Sequence, residues 1–501
     1  MSLSQKAESI ASEFVLSDDD VRKCSKQFIF ELGEGLKHVV PTVCQIPTYV
    51  TKVARGTEKG VSLAVDLGGT NLRVCSVELK GDTKWTAKHA KRVIPPETMT
   101  GSNGAELFHL IAHEIDQFFQ LHHRDTLQKL RQSKDVLPLG FTFSYPAYQT
   151  SINSGILLRW TKGFDIPDVI NKDVCQLLQV AIDDFNLPVE VTALVNDALG
   201  ALMFRAYTLP LSQTRTSVGA IFGTGTNGVY LEKLSNITKA LGTHDDSTGE
   251  MFISSEWGSF DNGLLVQPNT KYDMKVDQSS INPGNQMFEK RVSGMFQGEL
   301  LRVALNELYA DPDACLFRGV QWDDPAQGEG PAPFFTRWAI DTSLLSIAAA
   351  ENAQELTALS EALVKTLRIP ANHVSADDVR AVKTIADAIG KRAARLAGMA
   401  IGSALIKGGR ITVDRNILPV TRVTEDFSGV EAVDIAVDGS VVELYPGFER
   451  YMREVWRVID GIGPAGEKMI KMGVAKDGSS IGAAIIALIV ANGRASHTAT
   501  P

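Results

Sequence analysis

The sequence predicts an α/β fold class, and three observations carry the prediction. Short apolar or alternating runs, read as strands, are interleaved with stretches of helical spacing. An apolar run, a Gly-Thr-Asn turn and a second apolar run occur once in each half, at Gly69-Thr70-Asn71 and Gly225-Thr226-Asn227, which suggests two similar lobes facing each other. The chain of 501 residues exceeds one small core, so two or three domains are expected.

The elements follow in order. Residues 1–60 read as an amphipathic helical lead-in and a loop. Val61–Asp66 and Leu72–Leu79 flank Asp66-Leu67-Gly68-Gly69-Thr70-Asn71 and form a strand hairpin. Phe141–Pro146 is an apolar strand broken by Ser144 and stopped by proline. Helical spacing is expected over Asp165–Phe185, then a strand from Val189 to Val195. That strand runs into Asn196-Asp197 and a helical Ala198–Arg205, so Asp197 sits near a helix N-cap. Ser217–Phe222 and Val229–Glu232 flank the second glycine turn. Asn285–Tyr309 predicts one long amphipathic helix, and Gly319–Phe335 a surface loop. Ser375-Ala376-Asp377-Asp378 is a capping box opening a helix that continues past Ala400. Ile481–Ala491 is too short to span a bilayer and reads as a buried helix, with Asn492–Pro501 a frayed tail.

Composition excludes several classes. An apolar fraction of 44% argues against global disorder. A net charge of −9 argues against a nonspecific nucleic-acid binder, so any polyanion must be met by backbone amides, a few cations or a metal. The five cysteines are scattered without a CxxC pair, which fits a reducing cytoplasm better than a disulfide framework or a zinc site. Met1–Asp20 lacks the basic and apolar regions of a secretory signal. Three motif matches fail on context. Gly223–Gly228 fits GxGxxG but is followed by a strand-like run where the dinucleotide fingerprint needs a helix. His123-Arg124-Asp125 lacks the other protein-kinase signatures, and His113-Glu114 lacks the second histidine of a zinc protease.

What survives are two glycine hairpins whose N–H groups can approach an anion closely. Asp66 precedes the first, and a carboxylate beside a phosphate calls for Mg²⁺ held through water. Lys162, between Trp160 and Phe164, reads either as a solvated lysine or as a cation facing developing negative charge. Asn196-Asp197 lies at a strand carboxyl end, where α/β folds gather ligands, although an ordinary helix cap gives the same spacing. Glu256 and Glu289, taken singly, read as surface carboxylates.

Taken together, nine ordered segments resemble the hexokinase family, and within it the fungal glucokinases and hexokinases. They are LAVDLGGTNLRV (63–74), LGFTFSYP (139–146), RWTKGFDI (159–166), VNDALG (195–200), FGTGTNG (222–228), SSEWGSFDN (254–262), NPGNQMFEKRVSGMFQGELLR (282–302), VDGSVVELYPGF (437–448) and AKDGSSIGAA (475–484). The resemblance implies an actin-like ATPase fold, two ribonuclease H-like lobes around a deep cleft. The small lobe would comprise residues 60–195 plus 478–501, and the large lobe 1–59 plus 196–477. It implies ATP-dependent phosphorylation of the 6-hydroxyl of glucose and of related hexoses such as mannose, the first step of glycolysis, with fructose left open.

By the same likeness, Asp197 is the general base and Lys162 a catalytic cation. Ser144, Thr161, Lys162, Asn196, Asp197, Asn227, Glu256 and Glu289 match sugar-binding positions. Asp66, Gly68, Gly69, Thr70, Asn71 and Arg73 match the first phosphate loop, and Gly223, Thr224 and Gly225 the second. Gly439 and Ser440 fall in the adenosine motif, and Lys91 near the nucleotide. The implied cofactors are ATP and Mg²⁺, with a cytoplasmic monomer or homodimer that binds no nucleic acid and has no membrane segment. A weakly catalytic glucose sensor of the same fold, and an ATPase that takes no sugar, are the competing readings. The intact glycine loops and Asp197 favour the enzyme over the sensor, and the TKGF and EWG segments speak against the sugar-free ATPase.

Overall fold

The computed structural model describes residues 1–501 except 41, 70, 210–214, 323–329, 353–354, 412–431 and 499–501, and no side chain of 495–498. The strands in chain order are β1 (Ile46–Pro47), β2 (Lys59–Leu67), β3 (Asn71–Gly81), β4 (Lys84–Val93), β5 (Leu137–Phe143), β6 (Ala147–Ser151), β7 (Ser154–Leu157), β8 (Val189–Val195), β9 (Arg215–Phe222), β10 (Thr226–Lys233), β11 (Glu250–Ser254), β12 (Val433–Asp438) and β13 (Ile470–Val474).

Two sheets carry the same design. One has the order β4-β3-β2-β5-β8, the other β11-β10-β9-β12-β13 with β1 added at its edge. In each, the first three strands form an antiparallel meander and the last two join it in parallel. Both glycine hairpins therefore occupy the same place, between the first and second strand of their sheet. The hairpin β6–β7 stands apart as a third, two-stranded sheet.

Two helices lie between the sheets. Gly478–Thr498 packs on β2, β5 and β8, and also along the helix Asp197–Thr208, which itself packs on β9 and β12. Their crossing is close enough to require glycine. A Cβ on Gly482 would sit 1.8 Å from the Gly200 carbonyl oxygen, and one on Gly200 would sit 2.3 Å from that of Ser479. The long helix Ala376–Lys407 opens at Ser375 with the expected capping box, Asp378 closing it, and runs through the main hydrophobic core. It packs against the helices Leu3–Glu13, Asp18–Lys37 and Phe448–Trp456.

Several expectations are corrected. The apolar pattern of Asn285–Tyr309 is not one helix: Glu289–Val292 and Gly294–Ala310 are separated by an extended Ser293. The break lets the N–H groups of Gly294 and Met295 turn outward to the carbonyls of Gly223 and Thr224 on the second hairpin. The last residues do not fray from Asn492, since the helix continues to Thr498 and Arg494 pairs with Glu190 at 2.8 Å. Within Asp165–Phe185 the α-helix is confined to Val174–Asp184, because the Asp173 side chain caps it at Cys175 and Gln176. The described part of Gly319–Phe335, by contrast, is the surface loop expected, without helix or strand and exposed or half-buried apart from Phe334, and it is anchored by Trp322 stacked on that fully buried ring at 4.6 Å.

Candidate active site

The carboxyl ends of β2, β5 and β8 bring one half of the site together. Asp66 is opposite Thr142 on one side and Arg73 on the other, and Arg73 is opposite Lys91 on the exposed edge strand. Burial pushes the Asp66 carboxyl up to about 6; Arg73 and Lys162 pull against that, and the charge of Asp197 adds to it. Ser480, in the first turn of the helix Gly478–Thr498, lies near the same carboxylate and also pulls its pKa down.

The first glycine turn is braced from behind. Gly68 N–H donates to the Asn71 carbonyl at 3.0 Å, and the Tyr145 hydroxyl donates to the Gly68 carbonyl at 2.8 Å. Lys162 adopts a left-handed backbone (φ 57°), its stem against Gly69 and its ammonium 5.1 Å from the centre of the Tyr145 ring. The Lys162 side chain is exposed at the cleft, while Trp160 and Phe164 stack beneath it at 5.1 Å. Ser144 and Thr161 are half-buried on either side of the β6–β7 hairpin. Thr70 lies outside the described residues.

Asn196 and Asp197 join the halves. The Asn196 side chain caps its helix by accepting from Leu199 N–H at 2.8 Å, which leaves its amide nitrogen to donate to Ser254 Oγ at 2.6 Å. Asp197 is the first helical residue, and its Oδ1 accepts from Ala198 N–H at 2.9 Å.

Around Ser254 a closed polar network forms. Its hydroxyl donates to Glu256 Oε1 at 2.7 Å, and Asn227 Nδ2 donates to the same oxygen at 2.6 Å. Asn227 Oδ1 accepts from the N–H groups of Gly228 and Glu256 at 2.7 and 3.1 Å. Glu289 Oε2 accepts from Thr226 N–H at 2.9 Å, beside Gly225. Neither carboxylate is a surface group. Burial raises the pKa of both, and the hydrogen bonds they accept work the other way.

The second glycine turn leads to a cavity. Gly223 N–H donates to the Gly225 carbonyl at 3.0 Å. Gly439 holds φ 110°, and a Cβ there would lie 2.4 Å from the Phe222 carbonyl oxygen, so the 438–440 turn is laid directly on this hairpin. Beyond it opens a cavity of about 360 Å³ lined by Thr224, Met295, Thr342, Ser440, Leu444 and Tyr445, among others. Burial pushes Asp438 up to about 7, and the Glu443 and Asp477 charges add to the effect. Asp477 also approaches Arg73 at 3.9 Å.

Sequence reasoning named the residues at both turns but missed the ones that join them. Ser254, Ser480 and Tyr145 fall inside motifs quoted above, yet a serine at a strand end or a tyrosine before proline has no pattern of its own. Among the described residues no group of three or more His, Cys, Asp or Glu side chains could hold a metal ion. The donors here suit a cation that keeps most of its water: one half-buried carboxylate, Asp66, beside a glycine turn.

Comparison with known proteins gives the family. Residues 6–207 and 217–489 match the hexokinase family description. The chain is 46% identical to glucokinase of Aspergillus niger over 500 residues, covering 97% of each protein. It is 36% identical to glucokinase-1 of Saccharomyces cerevisiae over 509 residues, again covering 97% of each. The hexokinase of Schistosoma mansoni complexed with glucose superposes with a TM-score of 0.77 at 32% identity, over 97% of this chain and 99% of that one.

Proposed function

The chain belongs to the hexokinase family, and we propose that it transfers the γ-phosphoryl group of ATP to the 6-hydroxyl of glucose, with mannose as a second substrate. The observation that carries this reading is the position of Asp197. It follows Asn196 in the chain, and its charge acts on Glu256 of the Asn196–Ser254–Glu256–Asn227 network on one side and on Asp66, at the end of the strand before the first glycine turn, on the other. A base placed there can reach a sugar hydroxyl and face an incoming phosphoryl group together.

Each residue then has a task. Asn196, Asn227, Glu256 and Glu289, with Ser144 and Thr161 at the rim, bind and orient the sugar hydroxyls. Buried acceptors left unpaired by a wrong sugar would give discrimination. Asp197 accepts the proton of the 6-hydroxyl as its oxygen attacks phosphorus, a contribution of roughly 10²–10⁴-fold. Lys162, Arg73 and the N–H groups of the Gly68–Asn71 and Gly223–Gly225 turns face the charge that spreads over the phosphoryl oxygens. Lys91, next to Arg73 across the strands, extends that positive row toward the phosphate tail. Gly439 and Ser440 shape the wall of the nucleotide cavity. Mg²⁺, held through water by Asp66, would offset phosphate charge.

We assign residues 60–195 plus 478–501 to one lobe and 1–59 plus 196–477 to the other. Sugar binding closes them and excludes water, the competing nucleophile, so ATP hydrolysis without sugar is slow. No helix among the described residues is long and apolar enough to cross a membrane. The free cysteines Cys24, Cys44, Cys75, Cys175 and Cys315 suit the reducing cytoplasm in which we place the enzyme. A coupled assay for sugar 6-phosphate with Mg-ATP and glucose, mannose or fructose tests the reading. Folded protein giving no glucose 6-phosphate above background would refute it, and the fructose rate decides how broad the enzyme is.

A further inference from the structure

The peptide joining Ser255 to Glu256 is held from both faces. Its N–H donates to Asn227 Oδ1 at 3.1 Å. Its carbonyl accepts twice from Gln45, once from the backbone N–H and once from side-chain Nε2, both at 3.3 Å. The amide of Gln45 cannot be turned round. A carbonyl only accepts, so the nitrogen must face Ser255, and Oε1 then accepts from the Tyr230 hydroxyl at 2.6 Å. Gln45 is fully buried and far upstream in sequence, in the segment that enters β1.

That segment is itself tied down. Lys239 Nζ donates to the carbonyls of Gly35, Cys44 and Gln45 at 2.8, 2.8 and 2.5 Å. One residue later, β1 pairs with β11 through Ile46–Ser254 and Pro47–Ile253. The support thus reaches the strand end that carries Ser254 and Glu256.

Glu256 needs this support because its backbone is left-handed, at φ 55° and ψ 41°. A non-glycine residue holds that conformation only where its surroundings dictate it. The simplest relaxation rotates the Ser255–Glu256 peptide and swings the carboxylate off Ser254 and Asn227. We propose that Gln45 is a positioning residue for sugar binding. Its side-chain amide locks this peptide, so that Glu256 presents its carboxylate to the sugar hydroxyls already in the bound orientation. The proposal rests on the reading of Glu256 as a sugar ligand.

The test uses Gln45→Met, which keeps the shape and the backbone hydrogen bond but loses both side-chain bonds. Glucose affinity is read by titration calorimetry, kcat at saturating glucose, and stability by thermal melting. The expected result is a glucose Kd raised about fivefold, the scale of one lost hydrogen bond, with kcat within about twofold of the parent. Gln45→Met also orphans the buried Tyr230 hydroxyl and lowers stability. Adding Tyr230→Phe should restore stability while the Kd stays high. A purely structural role predicts the opposite, with a Kd that is unchanged or recovers together with stability, and either result overturns the proposal. A Glu256→Gln arm separates the two readings. If it weakens glucose binding while Gln45→Met does not, the positioning role alone falls. If it leaves glucose binding intact, the sugar-ligand reading falls and the positioning role with it.

Discussion

Replacing Asp66 by asparagine should stabilise the ligand-free protein while disabling it. Burial, with Asp197 adding to it, lifts the carboxyl from 3.8 to about 6 in the folded state, against the opposing pull of Arg73 and Lys162. A raised acid binds more protons folded than unfolded between those two values, so the charge costs nothing below about pH 4 and its full amount above about pH 6. At roughly 1.4 kcal/mol per pKa unit, a shift of about two units makes the ionised carboxylate cost about 3 kcal/mol near neutrality, and about half that near pH 5. The Asp66→Asn side chain keeps the shape and carries no charge. Urea unfolding without ligands should therefore find the variant more stable by about 3 kcal/mol near pH 8, with the gap narrowing toward pH 5. Its kcat/KM with Mg-ATP should fall by about 10²-fold or more, because the carboxylate that would hold the cation's water is gone. A variant no more stable than the parent near pH 8, or a gap that does not change with pH, would refute the reasoning.

Other perturbations separate the parts of the site. Asp197→Ala should hold glucose within about threefold of the parent Kd, since the Ser254 network is intact, while kcat drops by about 10²–10⁴-fold; a near-normal rate would exclude it as the base. In Gly439→Ala the new Cβ meets the Phe222 carbonyl at 2.4 Å and the backbone loses its favoured φ. The KM for ATP should rise about tenfold or more, the scale of one to three kcal/mol of strain, with glucose binding unmoved. Arg392→Met should cost roughly 3–5 kcal/mol of stability, since Asp273 would be left buried without the bidentate partner now at 2.7 Å. Steady-state KM values for both substrates in the surviving folded protein should match the parent. In the parent, burial alone would raise the Asp273 carboxyl, but the charge and hydrogen bonds of Arg392, with the Arg291 charge and the Thr270 N–H, together reverse this and hold it at about 2. The stability from this pair is therefore present above about pH 4 and is lost only as pH falls toward about 2.

Residues whose role is local were legible in the sequence. Glycines between two apolar runs can be little else than a tight turn, and Asn196-Asp197 after an alternating run marks a strand end and a helix start. Glu256 and Glu289 were not legible, because their surroundings come from far along the chain. Glu256 is enclosed by Asn227, Ser254 and a peptide that Gln45 holds; Glu289 is enclosed by Thr226. A carboxylate carries no mark of the partners it will meet, so composition sends it to the surface. The break at Ser293 was hidden for a related reason. Apolar spacing continues across it, and the cause lies in two hairpin carbonyls that recruit the N–H groups of Gly294 and Met295. Equal strand order in the two sheets could not be read from one shared tripeptide, yet it explains why that tripeptide recurs in the same setting.

The acidic character of the chain bears on how such a site is kept ready. Burial raises the Asp66, Glu256 and Glu289 carboxyls, and like charge adds to it, from Asp197 on Asp66 and Glu256 and from Glu256 on Glu289. Lys162 is the common counterweight, since its charge lowers all three. It is also exposed and set on a left-handed turn, backed by Gly69 and Tyr145 rather than fixed by a salt bridge among the described residues. A cation held this loosely in the open cleft can follow charge as it appears. Drawn toward an incoming phosphoryl group, it leaves the carboxylates less compensated, and sugar hydroxyls and a hydrated cation would then offset what Lys162 gives up. On this account sugar and Mg-ATP should each strengthen the binding of the other, and replacing Lys162 by methionine should weaken that mutual gain more than it weakens glucose binding alone. Glucose titrations with and without a non-hydrolysable ATP analogue measure both quantities, and equal coupling in parent and variant would contradict it.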